Sequence, residues 1–127
     1  MANECIPAYR PGHDITATAG GAITGKTFVD ASTALDVAAG TPVTVVTATA
    51  AGLTFGVASR DTASGAKLHV LRGPGTVVPV TAGGTIARGA EVEVGASGRA
   101  VTLASGKARG RALTAGTSGN DVFIELY

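Results

Sequence analysis

The residues Gly20-Gly21-Ala22-Ile23-Thr24-Gly25-Lys26-Thr27 carry the spacing of a phosphate-binding loop, with Gly20, Gly25, Lys26 and Thr27 at the diagnostic places. In such a loop a strand ends, the backbone turns, and the N–H groups of a following helix surround the phosphates. That chemistry requires a helix immediately after the threonine. Here Phe28 and Val29 follow, which favour strands, and then Asp30, Ser32 and Thr33, which favour turns and caps. Residues 31–39 leave room for a short helix before Gly40 and Pro42 end it. None of the apolar runs ends in an aspartate placed to hold Mg²⁺. The expectation is a Gly/Thr-rich turn entering a strand near Lys26–Val29, with no nucleotide site.

Other reactive side chains are equally unassembled. Glu91 and Glu93 alternate on one strand and read as a solvated face rather than an acid/base pair. Arg99, Lys107, Arg109 and Arg111 lie close in sequence, and Arg109 and Arg111 share a strand face. Without interleaved aromatic residues to stack bases, they suit an acidic protein partner or the protection of a sheet edge. Cys5 is the only cysteine, so no internal disulfide forms, and His13 and His69 are scattered. There is no G-x-S-x-G, no H-E-x-x-H and no metal-loop spacing of acidic residues. The chain reads as a non-enzyme with no cofactor and no metal.

The elements around these residues read as strands. β-rich runs at 13–18, 26–31, 43–49, 54–59, 67–72, 75–80, 91–94, 99–104, 107–113 and 121–126 are separated by turn residues. Val92 and Val94 point one way and Glu91 and Glu93 the other, and Val122, Ile124 and Leu126 oppose Phe123, Glu125 and Tyr127. Residues 95–101 read as a hairpin connection with Gly95 and Gly98 at positive φ. Residues 55–71 repeat weakly from Gly110 onward: Gly56 matches Gly110, Ala58 matches Ala112, Ser64-Gly65 match Ser118-Gly119, and Leu68 and Val70 match Val122 and Ile124. Residues 37–45 resemble 86–94 in the same way. Strands at this spacing, with almost no helical period, specify an all-β fold, a compact β-sandwich or β-barrel. Residues 15–127 form a single β domain, readable as two related β units. Residues 1–14 form an extended N-terminal arm, because Pro7 and Pro11 disfavour helix and central strand, with Ile6 and Tyr9 as its apolar anchors.

Composition sets the boundaries of function. The chain has 127 residues and a net charge of +1, so no bulk attraction draws it to nucleic acid or membrane. It contains 19 glycines, no Trp, two Tyr and three Phe. A core of small aliphatic side chains buries less area per residue than one with aromatics, so oligomerisation or docking on a partner is expected to add stability. The opening residues lack the basic and apolar regions of a signal peptide. Residues 37–59 carry no charge, yet Gly40, Pro42, Gly52 and Gly56 interrupt them, so they read as two strands and a turn within protein.

The order of Gly84, Ile86, Gly89, Val92, Val94, Gly98, Gly106, Ala108, Gly110, Ala112 and Gly119, ending in an apolar strand, resembles the head decoration, or capsid cement, proteins of tailed bacteriophages. The opening residues 2–30 also look like the arm of such proteins from phages of actinobacteria. The resemblance implies a β-tulip-like or β-sandwich decoration fold, a homotrimer, and a place on the outer surface of the mature head at capsomer junctions. There it would bind the major capsid protein and stabilise the shell against internal DNA pressure. It implies no catalytic residue and no nucleic-acid or membrane partner. The arm is the implied capsid-binding element: Ile6 and Tyr9 to fill apolar pockets, Arg10 to meet a carboxylate, Pro7 and Pro11 to keep the chain extended. The alternative is a β-rich surface module recognising a host glycan or protein, although few aromatics are present to form a sugar platform. A third reading, a small trimeric nucleotide hydrolase, requires a genuine phosphate loop at Gly20–Thr27.

Overall fold

A computed structural model describes residues 14–127. The arm residues Ile6, Pro7, Tyr9, Arg10 and Pro11 lie outside the described residues. The described chain is all-β. Its strands are β1 (Ile15–Ala19), β2 (Phe28–Ala31), β3 (Thr44–Thr47), β4 (Gly56–Ala58), β5 (Lys67–Leu71), β6 (Val77–Thr81), β7 (Glu91–Val94), β8 (Ala100–Thr102), β9 (Gly110–Ala112) and β10 (Asp121–Leu126). Each falls within or against one of the β-rich runs of the sequence. Among the described residues the only helical segment is a short 3-10 turn, Ala96–Gly98.

β1–β5 close into a barrel in the order β1-β3-β2-β4-β5, and β6–β10 form a five-stranded sheet ordered β6-β10-β9-β7-β8. The two have the same plan. Ile15 faces Val70 across β1/β5 as Val78 faces Ile124 across β6/β10. Ala58 faces Val70 as Ala112 faces Ile124. Val29 faces Gly56 as Val92 faces Gly110, and Ala31 faces Val45 as Val94 faces Ala100. Gly65 and Gly119 occupy the same turn at φ 83° and 87°, a region that costs a Cβ-bearing residue strain.

The repeat of 55–71 from Gly110 onward is therefore matched in strand register. The expected partner of 86–94 is not 37–45. Residues 86–94 correspond to 23–31: Ile23 bridges Thr62 as Ile86 bridges Gly116. The Lys26 N–H donates to the Ala58 carbonyl as the Gly89 N–H donates to that of Ala112. The likeness of 37–45 to 86–94 reflects shared Ala, Gly and Val content, whereas 32–41 is an exposed loop. No helix forms at 31–39; the Asp36 carboxylate instead accepts the Ala39 N–H in a turn. At the 95–101 connection, Ser97 and Gly98 take positive φ, at 58° and 72°, while Gly95 does not. Gly95 is needed for closeness: a Cβ there would stand 2.6 Å from Val101.

The sheets differ in closure. In the first, the Thr18 and Gly20 N–H groups donate to Val43 and Val45 and bring β1 beside β3. In the second, the Gly83 N–H reaches Ala100, but the Thr81 N–H donates to the Lys26 carbonyl of the first barrel. The donor that would extend the closure joins the two bodies instead. Pro79 sits on β6 at this open edge, where a strand tolerates a residue without an N–H.

Two apolar clusters fill the interior. Ile15, Ala17, Val29, Val45, Leu68 and Val70 pack within the first barrel. The other joins Val80, Val92, Val94, Val122 and Ile124 of the second sheet to Phe28, Ala48 and Val57 of the first. Phe28 thus points out of its own barrel into the core of its neighbour. Among the described residues, no helix is long and apolar enough to cross a membrane.

Candidate interaction surface

The loop at Gly20–Thr27 is a clasp between the sheets. Gly25 and Lys26 form the turn into β2, with Lys26 at φ 61°. A strand follows where a phosphate loop requires a helix. The Lys26 ammonium donates to Asp121 Oδ2 at 2.7 Å, and Asp121 Oδ1 accepts the Thr81 hydroxyl at 3.2 Å. The Gly25 N–H, which would face a phosphate, donates to Asp61 Oδ1 at 2.8 Å. Thr27 is buried, and its hydroxyl donates to the Thr24 carbonyl. Lysine, threonine and glycine donor are all engaged by this chain's own acceptors. The hydrogen bond from Lys26 favours the charged form of Asp121 and holds its carboxyl below the ordinary range.

The acidic pair on β7 divides. Glu91 is exposed and accepts the Tyr127 hydroxyl at 2.8 Å, which raises the phenol's pKa by favouring its protonated form. Glu93 was expected on a solvated face but is buried, at 5% exposure. The 103–109 segment folds back along β7: Leu103 N–H meets the Glu91 carbonyl, Arg109 N–H meets that of Val92, and Gly106 N–H meets the Glu93 carboxylate. Alternation along β7 gave no sign that a loop would cover the Glu93 side.

The basic cluster also separates. Arg111 pairs with Glu125 at 2.9 Å on the outer face of the second sheet. Arg109 turns toward the first barrel, where its Nη2 donates to the Gly52 carbonyl at 3.3 Å. Arg99 and Lys107 are exposed. Arg109 meets Arg72 across the seam, in a cleft of about 290 Å³ lined also by Phe55, Pro74, Leu126 and Tyr127. Sequence reading missed Arg72, which lies far along the chain from the cluster.

The outer faces carry different chemistry at matching positions. On the second sheet, Pro79 faces Phe123 across β6/β10, and the Leu113 N–H donates to the Phe123 carbonyl. With Val77 these form an apolar strip, on which Phe123 is 48% exposed. On the first barrel, Thr16 faces His69, and the Ser59 N–H donates to the His69 carbonyl. That row is polar, and His69 lies 3.4 Å from Asp14. The β2–β3 loop of the first barrel also projects Leu35 and Val37 into solvent, where the second sheet has only the short 95–99 connection.

Residues 9–126 match a family described as phage cement protein. A search of curated proteins finds no match. Among solved structures the chain is similar to the head fiber gp8.5 N base of bacteriophage phi29. The TM-score is 0.74 at 22% identity, covering 90% of this chain and 92% of that one. At that identity the likeness speaks for the fold.

Proposed function

The chain belongs to the phage cement protein family, and from that premise we propose that it binds as a homotrimer to the outer surface of the mature head, at capsomer junctions, and reinforces it against internal DNA pressure. The family is one of structural capsid proteins rather than enzymes, and its members associate with capsid protein on the virion surface. The finer reading has the major capsid protein as partner and residues 15–127 as one β domain built of two related β units. The arm of residues 1–14 engages the shell through Ile6, Pro7, Tyr9, Arg10 and Pro11.

The observation that carries this reading is the fusion of the two sheets into one body. Phe28, Ala48 and Val57 are part of the second sheet's core, and Lys26 clasps Asp121 and Thr81 outside it. A body that bridges subunits must transmit load without parting at its own waist. Three copies can each bind weakly, because the second and third engage at high effective concentration. Preferential binding to the expanded shell then stabilises that state by mass action. The apolar strip of Val77, Pro79, Phe123 and Leu113 gives an assembly area to bury.

Co-sedimentation with empty expanded capsids tests the proposal, with light scattering to count copies. The full chain should pellet with the shells, and scattering should give a trimer, free or bound. Deleting residues 2–12 should leave the β domain folded and weaken binding strongly. A chain that stays in the supernatant, or a deletion that binds equally well, contradicts the proposal.

A further inference from the structure

The seam between the barrel and the second sheet holds two guanidinium groups, Arg72 and Arg109. The Arg72 Nε donates to the Phe55 carbonyl at 3.1 Å, and its guanidinium carbon lies 4.4 Å from the centre of the Phe55 ring. Arg109 donates only a long bond, at 3.3 Å, to Gly52. Its Nε is the one buried side-chain nitrogen or oxygen without a hydrogen-bond partner among the described residues. Neither arginine forms an ion pair among the described residues, whereas Arg111 nearby does. A buried donor left unsatisfied is costly, and native structures rarely keep one without reason.

We propose that this cleft receives a carboxylate side chain from an acidic, extended segment of a protein partner. The terminal nitrogens of the Arg109 guanidinium suit a planar carboxylate, whose charge would offset the cost of the enclosed Nε beside them. Arg72 is held by Phe55 on the opposite wall and adds a second positive charge. Phe28, Phe55, Pro74 and Leu126 give the cleft apolar walls, beside the polar Thr54 and Tyr127, and suit the hydrocarbon stem and an apolar neighbour of the acidic residue. A free phosphate would leave those walls uncovered, which is why a peptide carboxylate is favoured. The site exists only where the barrel and the second sheet meet, since Phe55 and Arg72 come from the first and Arg109 and Leu126 from the second. It goes beyond the capsid reading, because the partner is defined by its acidic chemistry alone.

The test is an NMR titration of the full chain with the tripeptide acetyl-Leu-Glu-Leu-amide, following the arginine Nε–H signals. Controls are the glutamine analogue and sodium phosphate, so no capsid is involved and a failure leaves the cement reading untouched. The glutamate peptide should shift the Arg72 and Arg109 signals saturably, and the glutamine peptide should not. Arg109→Gln should weaken binding about tenfold or more, as expected for loss of a charge-assisted fork, and Arg111→Gln should change it less than about twofold. Where Arg109→Gln fails to fold, Arg72→Gln gives the same reading from the opposite wall. Equal shifts with the glutamine peptide, no saturable shift, or phosphate binding as tight as the peptide each overturn the proposal.

Discussion

One pairing scheme is used twice with opposite consequences. On the first barrel, the outward pair across β2 and β4 is Phe28 and Val57, and both are buried against the second sheet. On the second sheet the matching pair across β7 and β9 is Glu91 and Arg111, and both are exposed. The difference shows how one fold makes a joint and a free surface. The backbone register is constant, and the side chains at one outward position decide whether another body docks there. It also gives the assembly a direction, since the first barrel's apolar outer face is covered by its neighbour while the second's strip at Phe123 remains open.

The strongest way to break this comparison is to remove the joint. Phe28→Ala should destabilise the protein by about 3–5 kcal/mol, the usual cost of emptying a core aromatic site. Glu91→Ala at the matching exposed position should cost about 0.5 kcal/mol or less. Chemical denaturation of both variants measures the contrast, and equal losses would mean the two positions are not used differently. A smaller effect tests what the two β units share. Gly65→Ala and Gly119→Ala meet no atom within 4 Å, so each should cost only backbone strain, about 1–2 kcal/mol, and the two losses should be alike. A large inequality would show that the turns are not equivalent.

Lys26 and Gly89 sharpen the comparison further, because both have positive φ and only the first carries a side chain there. Lys26→Gly exchanges a surface ion pair for relief of strain and should leave stability nearly unchanged. Lys26→Ala loses the pair and keeps the strain, and should be less stable than the glycine variant by about 1 kcal/mol in thermal melts. The smallest effect is on the acid side. The folded-state pKa of Asp121 is depressed, so its contribution is complete above the unfolded value of about 3.9 and fades as pH falls through the folded value. Asp121→Asn should therefore cost about 0.2–1 kcal/mol at neutral pH and progressively less under acid, because the pair is exposed and screened. A loss that persists below both values would assign the effect to packing.

Much of this was legible in sequence. Alternation at 91–94 and 121–126 named the strands, their inward residues, and the charged or aromatic residues opposite them. The joint was also written there, less conspicuously. Phe28-Val29 and Val57-Ala58 are adjacent apolar residues on short strands, which marks strands covered on both faces, whereas Glu91-Val92 and Arg111-Ala112 alternate. What could not be read was whatever depended on distant chain segments. The burial of Glu93 follows from a loop lying across β7, and the cleft of Arg72 and Arg109 from the barrel meeting the second sheet. The phosphate-loop spacing of Gly20–Thr27 misleads because its glycines and lysine serve a tight turn and a clasp, and short patterns do not encode whether a helix follows.

The claim that the body acts as cement is tested most directly by heating DNA-filled heads stripped of this protein and following DNA release, with and without purified protein added back. The account predicts release at a higher temperature when the protein is restored, and a reduced gain when Phe28→Ala loosens the joint. Release at the same temperature with shells saturated by the bound protein would contradict it.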